Sequence, residues 1–504
     1  MQTKETVTLT YMGNELRVSH GSLLSDAVGM ELPCGAHGRC GKCKIVAHGE
    51  LSPVTEDERA HLTEEELGRG VRLACRTQIL GDAVAAPLPT GNAMTEAEIL
   101  TDGTAALDAK EPILSRYGVA LDIGTTTLAA RLYDRDGRLL SEAGAKNPQI
   151  RFGADVISRV EAALAGRSAA LAEAIRGGID RLLLRLAGAA GITPREIDTI
   201  VATGNSAMLS LLTETDPTPF SRAPFMLERR FGERISAETV GISVLSPDAT
   251  IVLPPVISAF VGADTVCAIL ASGLPSETGT ELLLDVGTNG EMALSSKGRL
   301  YVASTAAGPA FEGVGISMGM NAAAGAIDRV TVDGGALSVR VIGGGIPTGI
   351  CGSGLVDAVA SLVTLGRIDE TGYMEEDPAV LSGQVSLTGK DIRMVQLAKS
   401  AISAGVRTLL HTAGNSVADV SLVVVAGGFG CYLDFGNAEA VGLFPKGLGR
   451  SARAVGNAAL DGAAMLLLSH SEWENAKRIA DRAELVDLAT SAVFMEHYIE
   501  DMGF

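Results

Sequence analysis

Alternation of apolar and polar residues is strongest near the N-terminus of the chain. Residues 4–10 (KETVTLT) and 15–19 (ELRVS) alternate with a period of two on either side of a Met-Gly-Asn turn, which predicts a β-hairpin. A short helical stretch, the strand KIVAHG, the charged helical stretch TEDERAHLTEEELGRG and the strand VRLACRTQIL follow. Pro87 and Pro89 end this pattern, so residues 1–87 are predicted to form one small domain of strands wrapped around a loop.

The next segment, residues 88–116, has no clear apolar periodicity. It is rich in Pro, Gly, Thr and charged residues (LPTGNAMTEAEILTDGTAALDAKEPILSR). This composition predicts a linker with at most one short helix.

The rest of the chain contains a weak internal repeat. YGVALDIGTTTLAARLYD predicts strand, turn and strand, and TELLLDVGTNGEMAL repeats that pattern; TIVATGNSAM and SLVVVAGGFGCYLD are both strands that run into a Gly-containing turn. Duplicated units joined by helical segments predict two α/β halves, residues 117–279 and 280–504, with a cleft between them. The second half is predicted to carry an insertion at 366–392 and helices over 457–485.

Net charge narrows the classes of partner. The 504-residue chain has 41 Lys and Arg against 60 Asp and Glu, a formal net charge of −19. Such an acidic surface repels phosphate backbones and anionic lipids, which argues against a nucleic acid or a membrane as the partner. The sequence has no apolar run of about 18 residues, and its N-terminus lacks the apolar core of a signal peptide. We therefore expect a cytoplasmic protein.

Four cysteines follow the spacing Cys34-x5-Cys40-x2-Cys43-x31-Cys75. An iron–sulfur cluster needs four thiolates, and plant-type ferredoxins use C-x4-C-x2-C with a distant fourth cysteine. Here the first gap is one residue longer. A zinc site usually shows two paired halves, and only one pair is present. The spacing predicts a [2Fe–2S] cluster held by these four side chains in a ferredoxin-sized domain.

The other candidate ligands have less support. His37 lies within the cysteine loop, but a Rieske centre needs two histidines on one iron, so we expect a surface residue. Cys267, Cys351 and Cys431 are scattered and are predicted to fill the core.

The first strand–turn–strand unit offers a phosphate loop. Gly124 permits a tight turn after an apolar strand, and the hydroxyls of Thr125 and Thr126 together with backbone N–H groups can cradle phosphate. Asp122 can hold Mg²⁺ or a water molecule. An ordinary Asp-x-Gly turn is the alternative interpretation.

The second unit repeats these residue types. Asp285, Gly287, Thr288 and Asn289 would face the first loop, so that the two loops clamp a polyphosphate and its metal ion. Glu291 is a candidate for orienting a water molecule, and a solvated loop residue is the alternative.

Two further Gly-rich stretches extend the predicted nucleotide site. Gly427 and Gly428 have no side chains where a flat nucleoside could lie against the backbone. Gly352 and Ser353 begin a helical stretch, whose N-terminal N–H groups suit an anion. Close packing of a helix on a strand would use the same glycines. The combination predicts ATP and Mg²⁺ as ligands.

The cysteine set, DIGTTT, VATGN, DVGTNGE, GPAFEG, GICGSG and VVAGGFG occur in this order in one chain. Together they resemble the reductive activators of corrinoid proteins, and the resemblance covers nearly the whole sequence. It implies an α/β and α+β multidomain protein: an N-terminal β-grasp-like [2Fe–2S] ferredoxin domain, a linker and the duplicated RNase H-like halves of an actin/sugar-kinase/heat-shock-chaperone (ASKHA) ATPase. It also implies that the cysteines hold the cluster, that the two Asp-Gly-Thr loops bind phosphate and that Gly427 and Gly428 contact adenosine.

The resemblance further implies a function. Such proteins return Co(II) corrinoid to Co(I), so that a methyltransferase system such as an O-demethylase resumes turnover. The implied partners are a corrinoid protein and an upstream low-potential electron donor, and family analogy suggests a homodimer. A plant-type cluster lies near −400 mV, and the cobalt couple lies lower. A gap of roughly 100–200 mV requires about 2.4–4.7 kcal/mol, which differential binding of nucleotide or partner could supply.

Three alternatives remain at this stage. A small-molecule kinase with an accessory cluster would need a catalytic Asp at a substrate pocket, and no stretch identifies one. A redox-sensing regulatory ATPase would bind partners according to cluster state without reducing them. An activator of 2-hydroxyacyl-CoA dehydratases would share a [4Fe–4S] cluster between subunits, whereas four clustered cysteines form a complete site here.

Overall fold

The computed structural model describes residues 6–30, 32, 35, 36, 38, 41–88, 101, 103, 104, 107, 109–287 and 289–504. Cys34, His37, Cys40 and Thr288 lie outside the described residues, as does much of the predicted linker. The predictions for these positions therefore stay predictions. Of the described helices, none has both the length and the apolar character needed to cross a membrane.

The N-terminal domain is a five-stranded mixed sheet with the strand order β2-β1-β5-β3-β4. Its strands are β1 (Thr6–Tyr11), β2 (Asn14–Ser19), β3 (Lys44–Leu51), β4 (Val71–Leu73) and β5 (Ile79–Pro87), and its helices are α1 (Leu24–Val28), α2 (Glu56–His61) and α3 (Glu64–Gly68). The predicted hairpin is confirmed, with Leu9 opposite Leu16 in β1 and β2. Leu9, Ile45 and Leu73 are fully buried in the core of this domain.

The charged stretch after β3 forms two helices instead of one. Thr55 and Glu58 make a capping box at the start of α2, and Thr63 and Glu66 make a second one at the start of α3. Each box satisfies backbone N–H groups that a new helix leaves without partners, so the second Thr starts a new helix after α2 ends.

The first α/β half is built on a six-stranded sheet with the order β10-β11-β9-β6-β7-β8. Its strands are β6 (Tyr117–Ile123), β7 (Thr127–Asp134), β8 (Leu139–Lys146), β9 (Ile197–Gly204), β10 (Phe231–Ser236) and β11 (Thr250–Pro255). Its helices are α4 (Val156–Ala162), α5 (Ser168–Ala190), α6 (Ser206–Leu212), α7 (Ala237–Val240) and α8 (Ala263–Ser272). The apolar face of α5 packs on this sheet through residues such as Ile175, Leu182 and Leu186.

The second half has a six-stranded sheet with the order β21-β20-β12-β13-β14-β22 and two small additional sheets. Its strands are β12 (Thr280–Val286), β13 (Gly290–Ser296), β14 (Arg299–Thr305), β15 (Ala326–Asp333), β16 (Ala336–Val341), β17 (Gly349–Ile350), β18 (Ala379–Ser382), β19 (Val385–Leu387), β20 (Val420–Ala426), β21 (Ala452–Ala454) and β22 (Glu484–Leu485). Its helices are α9 (Gly352–Thr364), α10 (Gly389–Ala413), α11 (Gly427–Gly430), α12 (Phe435–Ala440), α13 (Ala458–Leu468), α14 (His470–Arg482) and α15 (Ala492–Glu500).

The two large sheets confirm the predicted repeat. In each sheet three consecutive strands pair antiparallel, β6-β7-β8 and β12-β13-β14. The first strand of each set then pairs in parallel with a later strand, β9 or β20. The predicted insertion contains the hairpin β18–β19, and the predicted C-terminal helices are α13 and α14.

Helices α8 and α13 form the junction of the two halves. One apolar cluster contains Val201 and Val252 from the first sheet, Leu283 and Val424 from the second, and the buried faces of both helices. Gly462 of α13 lies so close to the backbone of α8 that a Cβ there would overlap it. This contact brings the ends of β6, β12 and β20 to opposite walls of one cleft.

Candidate functional site: a thiol pair and an acidic interdomain cleft

Cys43 and Cys75, two of the four predicted cluster ligands, lie next to each other. Both side chains are buried, at 3% and 1% exposure, and their Sγ atoms are 3.2 Å apart without a disulfide. The hydrogen bond between the two thiols lowers the pKa of Cys43 to about 6. Thiolates are the form that binds metal, so this pair fits two ligands of an iron–sulfur cluster.

Helix α2 packs against the cysteine loop. Asp57 forms an ion pair of 2.6 Å with Arg76, the residue after Cys75. A Cβ on Gly38 would overlap this ion pair, and Gly41 lies against the ring of His61 with a φ of +63°. The glycines of the loop are therefore needed for its close approach to α2.

A buried ion pair fixes the end of β4, next to the turn that contains Cys75. The stretch VRLACRTQIL, predicted as one strand, is divided by this turn into β4 and β5. The Glu58 carboxylate, fully buried, accepts hydrogen bonds from Arg72 Nε at 2.8 Å and from the backbone N–H of Leu73 at 3.2 Å. Burial opposes ionisation of Glu58, but the hydrogen bonds from Arg72, Thr55 and Leu73 together lower its pKa to about 2.

The second site is the cleft of about 350 Å³ between the halves. All three predicted phosphate and nucleoside loops line it. Its described lining residues that carry the argument below are Asp122, Gly124, Thr125, Thr126, Asn205, Asp264, Asp285, Gly287, Asn289, Glu291, Phe311, Glu312, Gly352, Ser353, Gly427, Gly428, Phe429, Tyr432 and Asn457.

The first phosphate loop joins β6 to β7 and is held by two asparagines. Asn147 Nδ2 donates to the Gly124 carbonyl at 2.8 Å, and Asn205 Nδ2 donates to Thr125 Oγ1 at 3.1 Å. Asn205 is also the N-cap of α6, where its side chain accepts from the N–H of Met208. These hydrogen bonds from side chains of the protein itself hold the loop in its conformation.

The second loop joins β12 to β13 and lies against the Gly-Gly turn. The N–H of Gly287 donates to the carbonyl of Asn289 at 3.0 Å. Gly427 has a φ of +86°, and a Cβ there would approach Asp285 Oδ1 to 2.6 Å. Only glycine therefore lets the β20 turn come this close to the carboxylate of Asp285.

Glu291 lies on a strand, which rules out the solvated-loop alternative. It follows Gly290 at the start of β13, and it is paired with Asp285 across β12 and β13. Burial raises its pKa well above the usual range, and the charges of Asp264 and Asp285 add to this effect. Both effects disfavour ionisation of the Glu291 carboxyl.

Three aspartates in the cleft also titrate far above their ordinary range. Burial raises the pKa of Asp122 to about 6, that of Asp264 to about 7 and that of Asp285 to about 7. Repulsion from a neighbouring carboxylate adds to each shift. A divalent cation would relieve both effects, because it stabilises the ionised carboxylates.

Every charged side chain among the described lining residues is acidic. A polyphosphate entering alone would be repelled by these carboxylates, so it must be accompanied by a counter-cation. Mg²⁺ binds proteins through one or two carboxylates together with the phosphates of its nucleotide, and the aspartate set fits that chemistry. The aspartates are the groups that would hold it.

The outer end of the cleft is aromatic. Phe429 of the Gly-Gly turn stacks on Phe311, with ring centroids 5.0 Å apart and an angle of 17° between the rings. Tyr432 is 55% exposed at the mouth. This surface can accept a flat base next to Gly428, where a Cβ would meet no atom.

The stretch that begins with Gly352 and Ser353 has features of both interpretations, an anion site at a helix N-terminus and close packing of that helix. The two residues begin α9 and line the cleft, so backbone N–H groups face it. Gly352 also packs so closely on the Phe311 carbonyl that no side chain fits. Ser353 Oγ donates to the Asp328 carbonyl at 3.1 Å.

Sequence analysis missed several residues of the cleft, among them two acidic residues and two asparagines. Asp264 lies in the first turn of α8, Glu312 follows Phe311 in GPAFEG, Asn205 ends VATGN and Asn457 precedes α13. Asn205 and Glu312 stand in stretches that the pattern had singled out. Asp264 and Asn457 had no local signal, because each is a single polar residue at the start of an apolar helix.

The remaining cysteines divide between core and cleft. Cys267 is fully buried between α8 and its neighbours, as predicted for a core residue. Cys351 is buried as well, but it lines the cleft as the N-cap of α9. Cys431 is half-buried, which departs from the prediction of a core position.

The fold and the two sites define a class of protein: a [2Fe–2S] ferredoxin-type domain joined to an ASKHA-type ATPase fold. Three family models match it in order: a 2Fe-2S iron-sulfur cluster binding domain over residues 11–80, the RACo middle region over 117–277 and the C-terminal ASKHA domain of RACo over 279–504. The corrinoid activation enzyme RamQ of Eubacterium limosum is 36% identical over 420 residues, covering 77% of this chain and 70% of the relative. The chain belongs to this family of corrinoid activation enzymes.

Two further relatives agree with this assignment. The [Co(II) methylated amine-specific corrinoid protein] reductase of Methanosarcina barkeri is 27% identical over 421 residues, covering 77% of each chain. A solved structure of a reductive activator for corrinoid, iron-sulfur protein superimposes with a TM-score of 0.73 at 26% identity, covering 99% of this chain and 98% of its own.

Proposed function

We propose that this protein is an ATP-dependent reductive activator, which returns the Co(II) corrinoid of a corrinoid protein to Co(I) and so reactivates a methyltransferase system. A bound [2Fe–2S] cluster supplies one-electron transfer in this scheme. The single observation that carries the proposal is the presence of both sites in one chain: a buried thiol pair and an acidic nucleotide cleft.

We assign the thiol pair to cluster binding together with Cys34 and Cys40. Glu58 and Arg72 hold the backbone close to Cys75, and so help to position Cys75 next to Cys43. The two Sγ atoms lie 3.2 Å apart as free thiols, which places both of them to bind one cluster.

We assign the cleft to Mg²⁺ and ATP. Asp122, Asp264 and Asp285 would hold the cation, directly or through water, and the N–H groups of the two phosphate loops would hold the phosphates. Gly427 and Gly428 would contact the nucleoside. Glu312 and Glu291 are the candidates for orienting the attacking water, since both carboxyls face the cleft.

The nucleotide contributes free energy to an unfavourable electron transfer. Both walls of the cleft carry a phosphate loop, so a bound nucleotide contacts both halves at once. Differential binding of this kind changes the relative free energy of two arrangements of the halves. No phosphoryl acceptor is needed in this scheme.

The partners follow from the same proposal. The RamQ and reductase relatives are named for corrinoid substrates, and we propose a corrinoid protein as the partner here. An upstream low-potential donor would deliver the electron. The homodimer stays a prediction, which sedimentation velocity can check.

The test mixes anaerobically reduced protein with a Co(II) corrinoid protein, with and without Mg·ATP. We expect the Co(I) absorption band to rise only when Mg·ATP is present. If the protein reoxidises without Co(I) across several corrinoid proteins, the proposal is wrong, and a redox-sensing regulatory ATPase explains the two sites better.

A further inference from the structure

The end of the linker lies in a site built around a buried ion pair. Arg131 of β7 and Asp461 of α13 are joined by an Nη1–Oδ1 contact of 2.7 Å, and their side chains are only 6% and 3% exposed. Arg131 Nε donates to the backbone carbonyl of Thr101 at 2.7 Å. Burying a guanidinium costs free energy unless its N–H groups have hydrogen-bond partners. The Thr101 carbonyl therefore stabilises the buried ion pair, and the ion pair in turn holds Thr101 in place.

The neighbouring linker residues fit the same site closely. Gly103 forms a β-bridge with Gly456, and a Cβ at Gly103 would overlap the Asp461 carboxylate. Thr104 Oγ1 donates to the Val455 carbonyl at 3.4 Å. Residue 103 must therefore be glycine for reasons of space.

The linker also contacts the far end of α13. The backbone N–H of Ile113 donates to the Leu467 carbonyl at 3.0 Å, and the N–H of His470 donates to the Glu111 carbonyl at 2.8 Å. Contacts at both ends mean that the described linker residues follow this helix along its length. A displacement of α13 would consequently displace the linker.

The opposite side of the same segment reaches the nucleotide cleft. The Gly456 carbonyl accepts the N–H of Gly427 at 3.0 Å, and Asn457 Nδ2 donates to Asp122 Oδ2 at 3.0 Å. Residues 455–457 thus contact the linker on one side and two predicted nucleotide-binding residues on the other.

We propose that Thr101, Gly103 and Thr104 form a latch through which occupancy of the cleft controls how firmly the linker is held, and through it the ferredoxin domain. A cation bound to Asp122 would compete with the hydrogen bond that Asn457 donates to this carboxylate. A nucleoside next to Gly427 would likewise compete with the hydrogen bond from the Gly427 N–H to the Gly456 carbonyl. The latch rests on the proposed function only in naming Mg·ATP as the occupant. By thermodynamic reciprocity, the factor by which nucleotide tightens the latch is the factor by which the latch tightens nucleotide binding.

The test compares Gly103→Ala with Gly188→Ala in the full-length, cluster-loaded chain. Neither glycine has a positive φ, but a Cβ at Gly188 meets no atom within 4 Å, so this variant is the matched control. Hydrogen–deuterium exchange of peptides spanning 101–113 is measured with and without Mg²⁺ and a non-hydrolysable ATP analogue. Nucleotide affinity is measured by calorimetry on the same samples.

We expect nucleotide to slow exchange of the linker peptides about tenfold in wild type and in Gly188→Ala. Gly103→Ala should lose this response and bind nucleotide weaker by the same factor. If Gly103→Ala fails to fold, Thr104→Val replaces the donating hydroxyl by a methyl group and should show a smaller loss of both quantities. Unchanged nucleotide-dependent protection and affinity in a folded variant would overturn the latch, as would a lower melting temperature with both quantities unchanged.

The outcome is separate from that of the proposed function. A latch response without Co(I) formation would leave the latch standing and reject the activator. If wild type and Gly103→Ala form Co(I) with Mg·ATP at equal rates and linker protection does not change, the activator stands and the latch is rejected. Absence of nucleotide binding would overturn both.

Discussion

The hydroxyl of Thr126 donates a hydrogen bond of 3.3 Å to the carboxylate of Glu312, and this contact crosses the cleft from one half to the other. Thr126 belongs to the first phosphate loop. Glu312 follows β14 in the second half, and its other oxygen lies 3.6 Å from the position of a Cβ on Gly287. One carboxylate therefore faces both phosphate loops.

Replacing Glu312 by Gln should separate hydrolysis from binding. A glutamine keeps the hydrogen bond to Thr126 but cannot accept a proton from water. We expect the rate of ATP hydrolysis to fall about 100-fold, a typical contribution of a general base. Nucleotide affinity should be equal or higher, because one negative charge has left an acidic cleft. Calorimetry and a phosphate-release assay measure the two quantities.

Glu277→Gln is the matched control for this variant, since Glu277 is exposed and lies outside the described cleft lining. Hydrolysis at the wild-type rate in Glu312→Gln would mean that its carboxylate only connects the two halves.

Asp285→Ala should weaken nucleotide-dependent turnover and leave the cluster domain unchanged. The substitution removes a carboxylate that we assign to the cation, at a position that Gly427 approaches closely. The visible spectrum should equal that of wild type, because the cysteines lie in another domain. Glu281→Ala, at the outer end of the same strand β12, is the control. Equal ATP-stimulated rates in Asp285→Ala and wild type would reject the role of Asp285.

Sequence analysis predicted the candidate site best where the residues of the site are neighbours along the chain. Each phosphate loop is a strand end followed by Gly and a hydroxyl or amide residue, so its local pattern predicted its place in the cleft. Asn457 and Asp122 are 335 positions apart, and their hydrogen bond depends on the packing of α13 between the halves. The same holds for Asp264, whose carboxylate enters the cleft only because α8 crosses α13. Pairing across two halves cannot be predicted from local periodicity.

Nucleotide affinity should rise with pH. The folded pKa values of about 6 for Asp122 and about 7 for Asp264 and Asp285 lie above the unfolded values, so their protonation stabilises the ligand-free fold at low pH. This stabilisation is fully present below the unfolded pKa of about 4, and it is lost progressively as pH rises from there through the folded pKa values. A cation needs the ionised forms, so Mg·nucleotide should bind about tenfold tighter at pH 8 than at pH 6.

Calorimetry at pH 6.5 in two buffers with different ionisation enthalpies would measure the proton release that this argument requires. Asp264→Asn should release fewer protons than wild type. Identical heats in both buffers would contradict the elevated pKa values of the cleft aspartates.

Cys75→Ser should abolish the red-brown chromophore of the anaerobically reconstituted protein. A serine hydroxyl is a poor substitute for a thiolate, and Cys75 shares a buried site with Cys43 at an Sγ–Sγ distance of 3.2 Å. Cys43→Ser should give the same result. Cys431→Ser is the control, because this half-buried cysteine lies near the nucleoside end of the cleft and outside the cluster loop. If the visible spectrum and the iron content of Cys75→Ser are unchanged, Cys75 is not a ligand of the cluster. The thiol pair would then have no assigned role.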